Sequence, residues 1–138
     1  MKNKKLSVIL NTYKLTLNNI IDKIGLDLYH TAIEFDGVEY AFGFLDLPVC
    51  GIYEIKPLSF EDGIFLESFV VGYCDKNEFY NLKENLKNEY IGNTYNVITK
   101  NCNHFTNDFC KKLLKKEIPK KFRFGLKIGE FIRKIFHN

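Results

Sequence analysis

The sequence has no tryptophan, one methionine and three prolines, and its four cysteines form no CxxC pair. That spacing argues against a structural zinc site and against the disulfide framework of a small secreted protein. No apolar run approaches the roughly 20 residues that a membrane-spanning helix needs. These absences favour a cytoplasmic protein, which could also enter the nucleus, without a metal or another cofactor.

What the sequence does contain is enough apolar material for one core. Hydrophobic residues make up 46% of the 138 positions and aromatic residues 15%, which is typical of folded rather than disordered chains. The length fits one domain, and no linker, internal repeat or low-complexity segment divides it. We therefore expect a single domain over residues 1–138.

Positive charge is concentrated near the C-terminus. Residues 111–138 contain ten Lys or Arg and two acidic residues, whereas the preceding 110 residues contain ten Lys or Arg and fifteen acidic residues. The pattern predicts a basic amphipathic helix over about 120–138, with inward positions at Ile128, Phe131, Ile132 and Ile135. Its charge could belong to a solvated face, or it could contact an acidic protein or an anionic membrane surface. No nucleic-acid recognition module accompanies it, so we expect no nucleic-acid partner.

Strand patterns occupy the first half of the chain and helix patterns the second, which predicts an α+β fold. Strands are predicted over 6–10, 51–55 and 65–73. A helix begins after Asp75, which forms a capping box with Glu78, and is expected to end at Gly92. A second helix is predicted from 101 or 102 to 114, because Pro119 cannot continue it.

The clearest local prediction is a β-hairpin over 29–43 that turns at Asp36-Gly37. A two-residue turn fixes the register and separates an apolar face from a polar one. The apolar face pairs Phe35 with Val38, Ile33 with Tyr40 and Thr31 with Phe42; the other face pairs Glu34 with Glu39, Ala32 with Ala41 and His30 with Gly43. The register thus predicts that His30 lies on an open face, opposite a residue without a side chain.

Only one cysteine falls at a predicted helix start. A nucleophilic thiol needs a thiolate near neutral pH, and the free N–H groups and dipole at a helix N-terminus stabilise that anion. Cys102 occupies such a position. Cys110 lies two turns inside the same helix, and Cys50 and Cys74 lie near strand edges, so we expect these three to be structural. Cys102 is therefore the candidate nucleophile.

Three histidines could provide its base. His104 follows Cys102 by two positions, about 200° around a helix, so its side chain points away and is expected to seat the helix. His137 is close to the C-terminus and is a poor candidate. His30 remains. The residues alone leave open whether Cys102 and His30 form a reactive pair or are a buried thiol and a hydrogen-bonded histidine.

Two sequence blocks resemble the desumoylating isopeptidase (DeSI) family of the PPPDE superfamily, whose fold is a circularly permuted version of the papain-like peptidases. They are Tyr-His-Thr-Ala-Ile-Glu at 29–34 and Lys-Asn-Cys-Asn-His-Phe-Thr at 100–106. Two further stretches, at 51–55 and 116–119, resemble the second of the family's two branches. The resemblance covers roughly residues 6–122 and implies a small antiparallel sheet or barrel packed against helices.

By this resemblance Cys102 is the nucleophile and His30 the base of a dyad, with no third catalytic residue assigned. The reaction also requires an oxyanion donor. The backbone N–H of Cys102 is the natural candidate, and the side-chain amide of Asn101 or Asn103 could assist it, although either could cap the helix instead. Gly43 would fit a narrow cleft that admits only glycine, or could serve the bend of the hairpin.

The resemblance implies hydrolysis of the isopeptide bond between the Gly-Gly tail of a ubiquitin-like modifier, SUMO or ubiquitin, and a target lysine. The chain departs from the family in its apolar stretch at 44–47 and its basic C-terminal segment, so the substrate stays open. The same dyad could instead hydrolyse thioesters such as palmitoyl groups, held near a membrane by the basic segment. A third alternative is a binding module that recognises ubiquitin-like tails without cutting them. A homodimer is also compatible with the sequence.

Overall fold

The computed structural model describes residues 4–16 and 28–123, and its architecture is α+β, as predicted. Five antiparallel strands form one open sheet in the order β4-β3-β2-β1-β5. The strands are β1 (Leu6–Leu15), β2 (Tyr29–Phe35), β3 (Val38–Phe42), β4 (Ile52–Ile55) and β5 (Gly63–Cys74). The helices are α1 (Lys76–Leu86), α2 (Cys102–Leu114) and the short α3 (Lys120–Arg123), with one 3₁₀ turn at Gly92–Thr94. Within the described ranges, no helix is long and apolar enough to cross a membrane.

The predicted hairpin turn is confirmed. Asp36 and Gly37 both have positive φ, 50° and 79°, as a two-residue turn that matches the strand twist requires. The three pairs next to the turn have the expected register, from Phe35 with Val38 to Ile33 with Tyr40. The ladder ends there, however, and the predicted pairs from Ala32 to His30 lie beyond it. Beyond Ile33 the two strands are no longer paired to each other, and this is where α2 meets β2.

Strand β1 is longer than predicted, because it continues through polar residues that looked like a strand end. Asn11 is completely buried, yet its side chain is fully engaged in hydrogen bonds. Its amide donates to Glu34 (3.0 Å) and Glu39 (2.8 Å), and its oxygen accepts from Ser68 (2.6 Å). Burial of an amide costs little free energy when its hydrogen bonds are formed, so the strand can continue to Leu15.

The core lies between one sheet face and the helices, and it is largely aromatic. Phe35 stacks on Phe79 of α1 with ring centroids 4.1 Å apart, and Phe79 meets Phe109 of α2 at 4.9 Å. Phe42 and Phe105 continue this layer toward the start of α2. All five rings are buried, and aromatic pairs at such distances contribute about 0.5–1.5 kcal/mol each beyond the area that they bury. The layer fixes the position of α2 on the sheet.

The helix boundaries agree with the predicted caps except at the end of α1. Asp75 and Glu78 form the predicted capping box. The helix stops at Leu86, before the expected Gly92, and Tyr90 reaches the core from the turn that follows. Helix α2 ends with Lys115 in the left-handed region at φ 59°. Of the predicted C-terminal helix only α3 is described; its expected inward positions from Ile128 onward lie outside the described residues.

Candidate active site

A capping box formed by Asn101 and His104 holds the start of α2. The side-chain oxygen of Asn101 accepts hydrogen bonds from the N–H groups of Asn103 (2.9 Å) and His104 (3.2 Å). In return, Nδ1 of His104 accepts the N–H of Asn101 at 2.9 Å. The structure thus confirms that His104 seats the helix, since its ring turns back onto the cap. Such capping contributes about 1 kcal/mol to the stability of the protein and holds the first turn in one orientation.

This first turn is hydrogen-bonded to β2 on both sides of His30. The amide nitrogen of Asn103 donates to the carbonyl of Tyr29 (2.9 Å), and the hydroxyl of Thr31 donates to the Asn103 oxygen (2.7 Å). One turn later, the hydroxyl of Thr106 donates to the carbonyl of Thr31 at 3.2 Å. The strand segment that carries the histidine is therefore fixed against the helix start, although some seventy residues separate them.

Cys102 lies where β2 and β3 have separated, and groups from several elements surround it. The backbone N–H of Thr31 and the side chain of Tyr95 both act to lower the pKa of its thiol, and the thiol lies 3.8 Å from the side-chain oxygen of Asn103. Tyr53 also lies within electrostatic range of the thiol, and it pairs with Ala41 on the sheet face that carries His30. Cys102 therefore lies next to the sheet, where β2 and β3 are no longer paired.

The thiol is nearly inaccessible in this state, with 5% of Cys102 exposed. Burial raises its pKa to about 11, although the N–H of Thr31, the side chain of Tyr95 and the N–H groups of the first turn act in the opposite direction. The expectation of a thiolate at the helix start is thus not met in this structure. Loss of hydration outweighs the helix terminus, because a buried anion lacks the solvent that would stabilise it.

His30 is covered as well, contrary to the prediction of an open face. Only 4% of it is exposed, because Phe60 from the segment between β4 and β5 stacks on the imidazole. The two ring centroids are 4.1 Å apart, and the angle between the ring planes is 11°. The ring of Tyr13 in β1 is also next to the imidazole, with ring centroids 5.7 Å apart. Burial lowers the pKa of His30 to about 4, so the ring is neutral at pH 7. Among the residues of the described ranges, none forms a hydrogen bond with its Nε2.

The covering segment contains a strained residue. Leu58 has φ 64°, a conformation that costs a residue with a branched side chain about 1–2 kcal/mol, and its side chain is largely exposed. Its N–H makes a long contact of 3.4 Å to the buried carboxylate of Glu39. The Phe60 ring contacts both His30 and Tyr13 and thereby joins the segment to the sheet. No periodic pattern in 56–62 indicates this role, which explains why the sequence did not predict it.

The space above Gly43 is filled by Tyr53. A β-carbon placed on Gly43 would lie 2.9 Å from the Tyr53 ring, which no real side chain could tolerate without displacing that ring. Glycine is therefore needed here so that Tyr53 can pack against the strand. A glycine-selective cleft at this position would require Tyr53 to move.

The two asparagines proposed as oxyanion donors have structural partners. The amide nitrogen of Asn101 donates to the carbonyl of Val97 at 2.9 Å, in addition to the capping bonds of its oxygen. The amide nitrogen of Asn103 is bound to Tyr29, and its oxygen faces the Cys102 thiol at 3.8 Å as an acceptor. One of the two N–H groups of each amide is thus used in a structural hydrogen bond, and the Asn103 oxygen, as an acceptor, cannot stabilise an oxyanion.

The other three cysteines are also free thiols. Cys110 and Cys74 are buried, and burial raises their pKa values to about 12 and about 11. Cys50 is partly exposed in the segment that leads to β4. Within 4–16 and 28–123, no group of three or more His, Cys, Asp or Glu side chains is arranged to hold a metal ion.

Comparison with known proteins places these features in a family. Residues 6–132 match the family described as "PPPDE putative peptidase domain". A DeSI-like protein of Arabidopsis thaliana is 36% identical over 127 residues, and a desumoylating isopeptidase 1 homologue of Caenorhabditis elegans is 34% identical over 123 residues. A DeSI-like protein of Schizosaccharomyces pombe is 30% identical over 122 residues.

These matches cover 90%, 84% and 83% of this chain, but only 57%, 37% and 61% of the three relatives. The chain therefore spans less than two thirds of the length of each of these relatives. The matched family model nevertheless extends over most of the chain, including both sequence blocks around His30 and Cys102. On that ground, the chain belongs to the PPPDE peptidase family, whose DeSI branch the resemblance had indicated.

Proposed function

We propose that this protein is a cysteine isopeptidase that cleaves the Gly-Lys bond between a ubiquitin-like modifier and a target protein. One observation carries the proposal: the first turn of α2, which begins with Cys102, is hydrogen-bonded to β2 directly on both sides of His30. Membership in a peptidase family and a relative named as a desumoylating isopeptidase support the reaction class.

In this mechanism Cys102 is the nucleophile and His30 the base. The neutral imidazole takes the thiol proton as sulfur attacks the glycine carbonyl carbon, and a tetrahedral oxyanion forms. The imidazolium then gives the proton to the lysine nitrogen, the C–N bond breaks, and a thioester remains. A water molecule deprotonated by His30 attacks that thioester, and the C–S bond breaks to release the modifier carboxylate and restore the thiol.

In this mechanism no free thiolate is required before the substrate binds. With the pKa of Cys102 raised to about 11 and that of His30 lowered to about 4, both groups are neutral at pH 7. Proton transfer therefore accompanies attack or follows displacement of the cover over His30. This arrangement keeps the thiol from reacting with small oxidants and electrophiles when no substrate is bound.

A test with modifier probes separates Cys102 from the other thiols. We expect ubiquitin or SUMO vinyl sulfone to label the wild type covalently, and Cys102→Ala to abolish labelling and the cleavage of modifier-lysine conjugates. Cys50→Ser is the matched control, because it removes a more accessible free thiol outside the site, and it should be labelled like the wild type. Labelling that survives in Cys102→Ala, or disappears in Cys50→Ser, would contradict the assignment.

A thioesterase activity is the second candidate, because an apolar loop stands near the site. Four apolar side chains of this loop are exposed by 45–61%: Phe44, Leu45, Leu47 and Val49. The loop is held in place by backbone bonds, among them Leu45 N–H to the carbonyl of Gly92 at 3.2 Å. Such a surface suits a fatty acyl chain as well as an apolar patch on a modifier. Turnover of a palmitoyl thioester that exceeds conjugate cleavage, and is lost in Cys102→Ala, would favour this activity.

A further inference from the structure

The side-chain amide of Asn103 contacts both sides of the proposed dyad. Its nitrogen donates to the carbonyl of Tyr29 at 2.9 Å, and its oxygen accepts the hydroxyl of Thr31 at 2.7 Å, so it is bound to the residues immediately before and after His30. The same oxygen accepts the thiol of Cys102, with oxygen and sulfur 3.8 Å apart. One side chain thus joins the proposed nucleophile to the strand segment that carries the proposed base.

These partners permit only one orientation of the amide. The carbonyl of Tyr29 can only accept a hydrogen bond, so the amide nitrogen must face it. The amide oxygen then faces the Thr31 hydroxyl and the Cys102 thiol, both of which can donate. Asn103 and Thr31 are both buried, so water competes little for these hydrogen bonds. The orientation of the amide is therefore fixed by the strand and not by solvent.

The amide oxygen also distinguishes the thiol from the thiolate. An acceptor stabilises the S–H form by taking its hydrogen bond, but it repels a sulfur anion that has no proton to donate. The Asn103 oxygen therefore favours the neutral thiol, in the same direction as burial, and directs the S–H bond toward itself. This hydrogen bond must break when the thiol proton passes to His30, so the amide acts before the proton transfer and takes no part in it.

We propose that Asn103 is the positioning residue of the dyad: its amide holds the sulfur of Cys102 and the backbone around His30 in a fixed relation, without itself taking or giving a proton. This inference deepens the proposed function and rests on it. It gives Asn103 a role other than the oxyanion donor for which it had been a candidate, because its oxygen is an acceptor toward the thiol.

Replacement of Asn103 by alanine removes the hydrogen bonds to the strand and to the sulfur. We expect kcat for conjugate cleavage to fall by about 10²-fold, the usual effect of a small misplacement of reacting groups, with KM changed less than about threefold. Asn107→Ala is the matched control. Asn107 lies one turn later on α2, and its amide oxygen accepts the N–H of Ile118 at 2.9 Å, so it ties the helix to a different segment. This variant should lose stability in urea denaturation but keep kcat within about threefold.

Thr31→Val is a milder change, because it keeps the shape of the side chain and removes only the hydroxyl that donates to Asn103. The amide oxygen then loses one of its two donors, and kcat should fall by about tenfold. Thr12→Val is the control. Thr12 is the partner of Thr31 on β1 and is equally buried, but its hydroxyl donates to the carbonyl of Glu67 on β5 at 2.8 Å. It should keep kcat within about threefold.

The rate at which iodoacetamide alkylates Cys102 at pH 9 tests the contact with sulfur without any cleavage assay. The thiolate is the form that reacts, and mass spectrometry of the peptide that contains Cys102 separates it from the other thiols. Asn103→Ala removes the acceptor and should speed alkylation by about tenfold, whereas Asn103→Asp places a carboxylate beside the sulfur and should slow it by about tenfold. Both variants lose the bond to Tyr29, so a side chain that only fastens the helix to the strand would give faster alkylation in both.

Several results would overturn the positioning role while the isopeptidase stands. They are faster alkylation in both Asn103 variants, and equal losses of kcat in Asn103→Ala and Asn107→Ala. Unchanged kcat in Thr31→Val would also overturn it, including the case in which Asn103→Ala does not fold. Conversely, a wild type that cleaves no conjugate, with alkylation shifted in opposite directions by the two Asn103 variants, would refute the isopeptidase and leave the hold of Asn103 on the thiol standing.

Discussion

At the scale of single residues, the two groups of the proposed dyad are buried and uncharged at pH 7. Cys102 and His30 are both almost completely buried, and burial moves their pKa values apart rather than toward each other. The few donors near the thiol reduce this effect without reversing it. In the proposed mechanism, exposure of Cys102 and His30 is therefore a separate step from bond breaking, and Phe60 is in stacking contact with the histidine.

Replacement of Phe60 by alanine should expose His30. The imidazole then regains hydration, and its pKa should rise from about 4 toward its usual value near 6.5. NMR titration of the His30 ring measures this directly. Phe65→Ala is the control, since Phe65 also meets the ring of Tyr13, at 5.9 Å, and should leave the His30 titration unchanged. An unchanged pKa in Phe60→Ala would show that other groups bury the ring.

The buried neutral His30 should also make the fold sensitive to mild acid. Its pKa is lower in the folded than in the unfolded protein, so the unfolded state binds the extra proton between about pH 6.5 and about pH 4. The unfolding free energy should therefore be highest above that window and fall by about 3 kcal/mol across it. Urea denaturation of the wild type and His30→Gln at pH 7, 5.5 and 4 tests this. The variant should lose less stability, and equal losses would show that His30 is not responsible.

At the scale of elements, the cap of α2 has two functions where an ordinary cap has one. Asn101 caps the start of the helix, and Asn103 in the same turn holds the β2 backbone around His30. The cap of α1 at Asp75 is also a capping box, but it lies outside the candidate active site. The two helices thus offer a comparison between capping for stability and capping for function.

Alanine at either cap should destabilise the protein by about 1 kcal/mol, the typical value for loss of a polar N-cap. Only Asn101→Ala should also reduce kcat, by at least about tenfold, because a displaced first turn misplaces Cys102 and its N–H. Denaturation midpoints and conjugate cleavage measured on Asn101→Ala and Asp75→Ala test this. Equal activity in the two variants would mean that the cap orients nothing at the site.

At the scale of the whole molecule, one face of the sheet is apolar and the other carries buried polar groups. One face carries the aromatic layer that seats α1 and α2. The other carries His30 together with a buried polar network around Asn11 and Glu39, in which the Tyr13 hydroxyl donates to Glu39 at 2.7 Å. The site lies where β2 and β3 separate, so that a residue at the helix start can approach groups on the second face.

Much of this could be predicted from the sequence because it depends on neighbours in the chain. The Asp36-Gly37 turn, the register beside it, the cap at Asp75 and the start of α2 at Cys102 all follow from local backbone and hydrogen-bonding preferences. The helix-seating role of His104 also follows from helix geometry alone.

What only the tertiary structure decided depends on residues far apart in the sequence. The burial of Asn11 needs Glu34, Glu39 and Ser68, and the end of the hairpin ladder at Ile33 coincides with the approach of α2. Likewise, the low pKa of His30 and the high pKa of Cys102 come from loss of hydration, a property of the assembled surroundings and not of the local sequence. The sequence determined which residues are proposed to react, and the packing of the whole molecule determined that both are buried and uncharged.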